Sequence, residues 1–193
     1  MGDEGGAGRV LAGCGAYLGG VLDPRVIRVD LPESLAGYTW AFSGRKHTSV
    51  GCIGPFGCDG DWRSVTEARE ALLARHAGAL TIRSRFHCLL ACAPPDAPSR
   101  PLSGSNWAVI GDAAGLVDPI TGAGLLHAVR SGIVAAESLL LGDLRQFSAR
   151  WWETPEGRHI LAASRACEAA LRLAPVAGPW PMHELIKESY GSL

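Results

Sequence analysis

The sequence predicts an α+β fold: an antiparallel sheet carrying one helix, then a strand–loop–helix unit, then a run of helices. Three patterns predict it. Val26-Ile27-Arg28-Val29-Asp30-Leu31 alternates in polarity as a half-buried strand does. Tyr38 to Ser43 and Thr48 to Ile53 are two runs of strand formers around Gly44-Arg45-Lys46, the spacing of a hairpin. Trp107-Ala108-Val109-Ile110 leads through Gly111-Asp112 and a Pro/Gly loop into a long Ala/Leu-rich segment.

Taken in order, residues 1 to 20 are Gly/Ala-rich and weakly patterned. The strand from Val26 to Leu31 is followed by a turn from Pro32 to Gly37 and by the hairpin. Gly54 to Gly60 reads as a loop. Ser64 to His76 is an amphipathic helix, with Ser64 as its cap and Glu67 as the capping-box partner. Thr81 to Cys92 is a strand region, and Pro94 to Ser105, with four prolines, is a connector. Trp107 to Gly111 is expected as a buried strand. Ala123 to Leu141 is the strongest helix, ended by Gly142. Leu144 to Trp152 and Pro155 to Leu173 are helical, with Pro155 suited to a first turn, and a short helix lies near Glu184 to Glu188. The parts are therefore 1–105, a sheet region with one helix; 106–142, the strand–turn–loop–helix unit; and 143–193, a helical region.

Composition narrows the function. In 193 residues, 47% are hydrophobic, enough for a core. A net charge of −1 argues against bulk nucleic-acid binding. Arginine supplies the positive charge apart from Lys46 and Lys187. Cys14, Cys52, Cys58, Cys88, Cys92 and Cys167 form no disulfide framework, and the acidic, Gly-rich start is unlike a secretory signal. The expectation is a cytoplasmic protein with reduced thiols. No run reaches the ~20 apolar residues of a spanning helix.

The strand–turn–loop–helix unit carries the chemistry. Asp112 stands where a strand would end, so its carboxylate can accept hydrogen bonds from a polyol. Ala113, Ala114 and Gly115 let a backbone approach closely. Thr121 or Gly122 can cap the next helix, whose first amides favour an anion. Gly-Asp-Ala-Ala-Gly followed by Pro119, Gly122 and Gly124 resembles the second flavin-binding motif of FAD-dependent oxidoreductases of the para-hydroxybenzoate hydroxylase type. Within that group the chain most resembles the geranylgeranyl reductase family. That family has a Pro-x-x-Tyr-x-Trp-x-Phe-Pro strand, matched here by Tyr38, Trp40 and Phe42. Leu35 and Ser43 stand where it has prolines.

The resemblance implies an α+β fragment of an α/β FAD-binding fold of the glutathione-reductase-like type. It implies FAD as cofactor, held by Gly111, Asp112, Ala113, Pro119, Gly122, Ala123, Gly124 and Leu125. Asp112 would bond the ribityl or ribose hydroxyls. The amides of residues 122–125 would face the N1–C2=O edge of the ring, and Pro119 would shape the loop beside it. Tyr38, Trp40 and Phe42 share one strand face. They form either an aromatic core face or an apolar wall for an isoprenoid or other apolar substrate. The implied reaction is reduction of an isoprenoid double bond by hydride from reduced flavin, with no residue assignable as proton donor. An aromatic-ring monooxygenase is the alternative.

The resemblance fails at the N-terminus. Such flavoproteins hold the ADP half of FAD on a strand–Gly-x-Gly-x-x-Gly–helix unit. Gly6-Ala7-Gly8 and Gly13-Cys14-Gly15 both lack the third glycine. The expectation is the C-terminal portion of a flavoprotein. It would retain FAD alone, or serve as a non-catalytic remnant, or form half of a split enzyme whose partner chain supplies the ADP-binding unit. Other clusters are weaker. His87-Cys88 with Cys92 lacks a second ligand pair, so no metal site is expected. His127 and Arg130 could approach a phosphate or lie on a solvated face. Trp151-Trp152 could make a peripheral membrane contact.

Overall fold

The computed structural model describes residues 10–56, 62–75 and 80–191. Gly6-Ala7-Gly8, Cys58 and His76 lie outside them. The chain divides into a sheet unit, Leu11–Leu89 with Leu171–Leu193, and a motif unit centred on Leu90–Ala170.

In the sheet unit, β1 (Val10–Gly19), β2 (Ile27–Asp30), β3 (Tyr38–Ser43), β4 (His47–Pro55) and β5 (Thr81–Ala91) form one five-stranded sheet in the order β2-β3-β4-β1-β5. The expected hairpin is β3–β4, antiparallel from Tyr38↔Ile53 to Ser43↔Thr48. The amide of Gly44 closes its turn by donating to His47 O at 2.8 Å. β2 pairs antiparallel with β3, and β1 with β4, the latter in register Cys14↔Cys52 and Gly15↔Gly51.

β1 is the main departure from the sequence reading, which took residues 1 to 20 as weakly patterned. Its alternation is present but muted by small residues. Ala12, Cys14, Ala16 and Leu18 face one side of the sheet and are almost wholly buried. Gly13, Gly15, Tyr17 and Gly19 alternate with them on the other side. The glycines are there because neighbours occupy the space of their side chains. A Cβ on Gly15 would meet Phe86 Cζ at 2.6 Å, and one on Gly13 would meet Cys88 Sγ at 2.7 Å.

Helix α1 (Arg63–Arg75) covers the even-numbered face of β1. Val65 and Ala68 pack with Ala12, Cys14 and Cys52, while Leu72 and Leu73 pack with Ala16, Leu18, Ala41 and Val50. Ser64 lies inside the helix rather than capping it; Trp62 O accepts the amide of Thr66. Trp62 packs edge-on against Phe56 with ring centroids 5.1 Å apart, which fixes the entry to the helix. Cys14 and Cys52 are free thiols with sulfurs 3.5 Å apart, both donating to Val65 O. His87 accepts from the buried guanidinium of Arg69 at 2.7 Å. No group of three or more His, Cys, Asp or Glu among the described residues is placed to hold a metal. Helix α5 (Trp180–Gly191) is longer than the short helix expected near Glu184 to Glu188, and buries Met182, His183 and Ile186.

The motif unit is helical: α2 (Leu125–Leu140), α3 (Phe147–Glu153) and α4 (Pro155–Ala177), whose residues from Leu171 on belong to the sheet unit. Thr154 caps α4, its Oγ1 accepting the amide of Gly157 at 3.0 Å. The core gathers Leu102, Leu116, Val134, Phe147, Trp151, Trp152 and Ile160. Trp151 and Trp152 are 0% and 8% exposed, so they build this core and offer no surface to a membrane. No helix among the described residues is long and apolar enough to cross one.

Two features of this unit depart from expectation. Residues 107–110 are not a buried strand: Trp107 and Ile110 are exposed, and the segment pairs just with its own neighbour, through the bridge Ser103↔Ala108, Val109 N on Leu102 O and Gly104 N on Trp107 O. An apolar run becomes a strand only where a neighbour takes its backbone groups. No strand among the described residues lies beside this one. Helix α2 also carries its polarity inverted. Its buried stripe is His127, Ser131, Val134 and Ser138, whereas Leu125, Leu126, Val129 and Ile133 are exposed. The buried hydroxyls are satisfied: Ser131 accepts from Gly111 N and donates to Ala128 O, and Ser138 donates to Val134 O while accepting from Arg150.

Candidate functional site

The Gly-Asp turn forms as a single 3-10 turn, Gly111–Ala114, closed by Gly115. Gly111, Gly115 and Gly122 all have positive φ (56°, 72° and 69°), which the backbone needs in order to reverse twice within a dozen residues. The amides of Gly115 and Leu116 close back on Asp112 O and Gly111 O. Asp112 and Ala113 are therefore exposed at the tip of a rigid turn.

Helix α2 begins at Leu125 with Gly124 as its cap residue, not Thr121 or Gly122 as the sequence suggested. The first helical bond runs from Ala128 N to Gly124 O, and no side chain caps the helix. Thr121 instead accepts the amide of Ala123, tightening the loop. The Asp112 carboxylate lies against Gly124 so closely that a Cβ there would overlap Oδ1. The turn thus places an exposed carboxylate beside an uncapped helix N-terminus. This suits a ligand that presents hydroxyls to one and partial negative charge to the other. Gly111, Asp112, Ala113, Gly122, Ala123, Gly124 and Leu125 are gathered on this turn and loop. Pro119 lies buried beneath the loop, its carbonyl accepting from Cys167 Sγ at 3.3 Å.

The loop is fastened by Asp118, which the sequence reading did not single out. Its Oδ1 accepts the amides of Ile120 and Thr121 at 2.8 and 2.9 Å, and its Oδ2 accepts from His159 Nε2 at 2.6 Å. Its own amide and carbonyl bond Ala123 O and Gly122 N. Burial alone would push this carboxyl up, but the His159 bond and the two amides outweigh it and hold it below the ordinary carboxylate value. A carboxyl lowered by folding stabilises the fold above its unfolded value, about 3.9, and that contribution is lost as pH falls through the folded value. Thermal melts should therefore show Tm falling below about pH 4. Asp118→Asn should lower Tm at neutral pH and remove part of the acid decline; an unchanged acid limb would contradict this.

His127 is buried, with its Nδ1 3.2 Å from Ala123 O and its ring stacked 8° from parallel with that of His159. Arg130 is engaged by Glu156 at 3.1 Å.

In the sheet unit, Tyr38, Trp40 and Phe42 do share one face, opposite α1. Trp40 stacks on Phe42 and on Phe86 of β5, with centroids 6.1 and 6.4 Å away. Phe86 in turn meets Tyr17 at 5.4 Å. The face is thus a platform drawn from three strands, graded from buried Tyr38 to exposed Phe42 and Tyr17. Trp40 lies over Gly51, and Phe86 over Gly15. Tyr17 and Phe86 went unnoticed in sequence, although the alternating glycines of β1 were a signal for them.

No protein-family model matches the sequence. A menaquinone reductase of Mycolicibacterium smegmatis is 33% identical over 86 residues, covering 42% of this chain and 21% of that protein. A digeranylgeranylglycerophospholipid reductase of Methanothrix thermoacetophila is 28% identical over 151 residues, covering 73% of this chain and 35% of that one. Among solved structures, a geranylgeranyl bacteriochlorophyll reductase-like protein of Thermoplasma acidophilum superposes with TM-score 0.71 at 20% identity, over 93% of this chain and 47% of its own. PqsL, a probable FAD-dependent monooxygenase of Pseudomonas aeruginosa, does so with TM-score 0.56 at 18% identity, over 93% and 51%. The chain thus spans 21% and 35% of those two reductases and about half of the solved structures. The five-stranded sheet with its helices is part of the fold of FAD-dependent reductases and monooxygenases, and in sequence the chain is similar to stretches of a menaquinone reductase and of a digeranylgeranylglycerophospholipid reductase.

Proposed function

We propose that this chain supplies the isoalloxazine-side cofactor contacts and an apolar substrate wall of an FAD-dependent reductase acting on isoprenoid double bonds. The observation that carries the reading is the juxtaposition of Asp112, Gly124 and the uncapped start of α2, where only a glycine leaves room for the carboxylate. The residues present fit FAD. Asp112 is exposed to accept from a polyol, and of the amides at 122–125 those of Gly124 and Leu125 can face the negative edge of the ring, since Gly122 N and Ala123 N are bonded within the loop. When bound, FAD supplies hydride chemistry. Leu125, with its side chain exposed, and the Gly122 turn would bound the ring. Tyr38, Trp40 and Phe42, joined by Phe86, would lie along an uncharged tail that only shape and apolar contact can recognise.

The test is the absorbance of the purified chain at roughly 350–500 nm, the flavin bands, with and without added FAD. Retained flavin supports the reading. Gly124→Val should then weaken FAD at least about tenfold, since ~1.4 kcal/mol is one decade. Asp112→Ala should cost about 10- to 100-fold, as charge-assisted bonds are worth ~1.5–3 kcal/mol. Wild-type affinity in both variants would sink the assignment.

The outward apolar face of α2 and the exposed side chains of Trp107 and Ile110 favour a second reading of how FAD is held. An ADP-binding unit, on the same polypeptide or on a partner chain, would pack there and complete the cofactor site. In that case the chain alone takes up no FAD, and flavin absorbance appears when the partner unit is added.

A further inference from the structure

We infer that His159 is a positioning residue for the cofactor loop, setting through Asp118 the pose of residues 120–123 and so of the amides of Gly124 and Leu125 that follow them. The inference rests on the flavin reading above and goes beyond it to a residue that touches no cofactor-contacting position. The chain of contacts is short and complete. His159 Nε2 donates to Asp118 Oδ2 at 2.6 Å, and Asp118 Oδ1 accepts from Ile120 N and Thr121 N at 2.8 and 2.9 Å. The Asp118 backbone then bonds Gly122 N and Ala123 O. Asp118 is 6% exposed and spends both carboxylate oxygens within the protein. Nothing in the loop's own sequence supplies the Oδ2 partner; it comes from helix α4, 41 residues on.

The arrangement is directional. A neutral imidazole can donate one hydrogen bond to Asp118. A protonated one donates the same bond and adds a unit charge beside a buried carboxylate. The loop should therefore be held more firmly with the ring protonated than with it neutral. The other charged and titratable groups around the ring are few. His127 of α2 stacks on it, the Arg130–Glu156 pair joins α2 to the first turn of α4, and exposed Arg158 precedes it on α4. His159 is itself half exposed, with 55% of its side chain accessible, so it can exchange protons with solvent without opening the fold.

Two variants separate positioning from mere support. His159→Gln keeps a donor toward Asp118 and removes the titration; His127→Gln removes the stacked neighbour and leaves the pair. Amide shifts and hydrogen exchange of Ile120 and Thr121 are followed by NMR across the pH range in which the His159 ring signals themselves are seen to move. The expected result is one step in both amides at the midpoint read from the His159 ring. It should be absent in His159→Gln and retained in His127→Gln. FAD affinity should fall about three- to fivefold across the same step, as partly exposed ion pairs are worth up to ~1 kcal/mol. It should be flat in His159→Gln. A step that survives in His159→Gln, or no step in the amides, would overturn the inference. The amide step with no FAD uptake at any pH, with or without an added ADP-binding unit, would uphold the His159–loop coupling and overturn the flavin reading instead.

Discussion

Trp151→Ala should destabilise the motif unit by about 3–5 kcal/mol, the range for emptying a buried aromatic site. The residue is 0% exposed and sits with Phe147, Leu116 and Ile160, themselves wholly buried, so the cavity has no loose neighbour to collapse into it. Trp151→Phe should cost far less. The indole Nε1 of Trp151 is buried and finds no acceptor among the described residues, so phenylalanine loses volume but also removes an unsatisfied donor. Urea denaturation followed by circular dichroism would check both. Equal losses in the two variants would mean that packing volume is not what this side chain provides.

Gly51→Val tests the sheet unit in the opposite sense, by overfilling. A Cβ at Gly51 would overlap the Trp40 ring and stand 2.8 Å from Cys14 O. The expected loss is about 1–3 kcal/mol, with Trp40 displaced toward water and its fluorescence shifted to the red. Trp40→Ala should relieve part of that loss, because the ring is one of the two obstructions, while the carbonyl remains. A double-mutant cycle would show the coupling. Strict additivity would place the ring elsewhere than over this glycine.

The parts of the fold legible in sequence were those stabilised by their own local pattern. The β3–β4 hairpin, the helix at α1 and the α2 helix all appear within two residues or so of their expected bounds. β1 was missed because its buried side chains are alanine and cysteine, which carry little hydrophobic contrast, and its other face is mostly glycine. The strand expected at 107–111 was an error of the opposite kind. Its apolar run is genuine, but strand structure is a property of a pair, and among the described residues its backbone pairs just with the short stretch 102–104. In the candidate site, Asp112 and the glycine loop were legible because their spacing is local. His159 carries no local signal at all. It reaches Asp118 only because α4 folds back over the loop, and no window of sequence around either residue holds both. The tryptophans at 151 and 152 show the same limit: sequence gives their size and amphipathic character, but not that both will be buried in the core of their unit.

The glycine-floored aromatic platform has a consequence for how this protein could change over generations. One side of the sheet is an inflexible interior, where Ala12, Cys14, Ala16 and Leu18 meet α1 without spare volume. The other side is a layer of rings laid on bare backbone, and Phe42 and Tyr17 at its margin are exposed. Exchanging those marginal rings alters the shape offered to a bound molecule while leaving the interior packing alone, since separated sites contribute nearly independently. On the proposed function, substrate preference and structural integrity would be written on opposite faces of the same strands. A lineage could retune the first by successive single substitutions without passing through an unfolded ancestor.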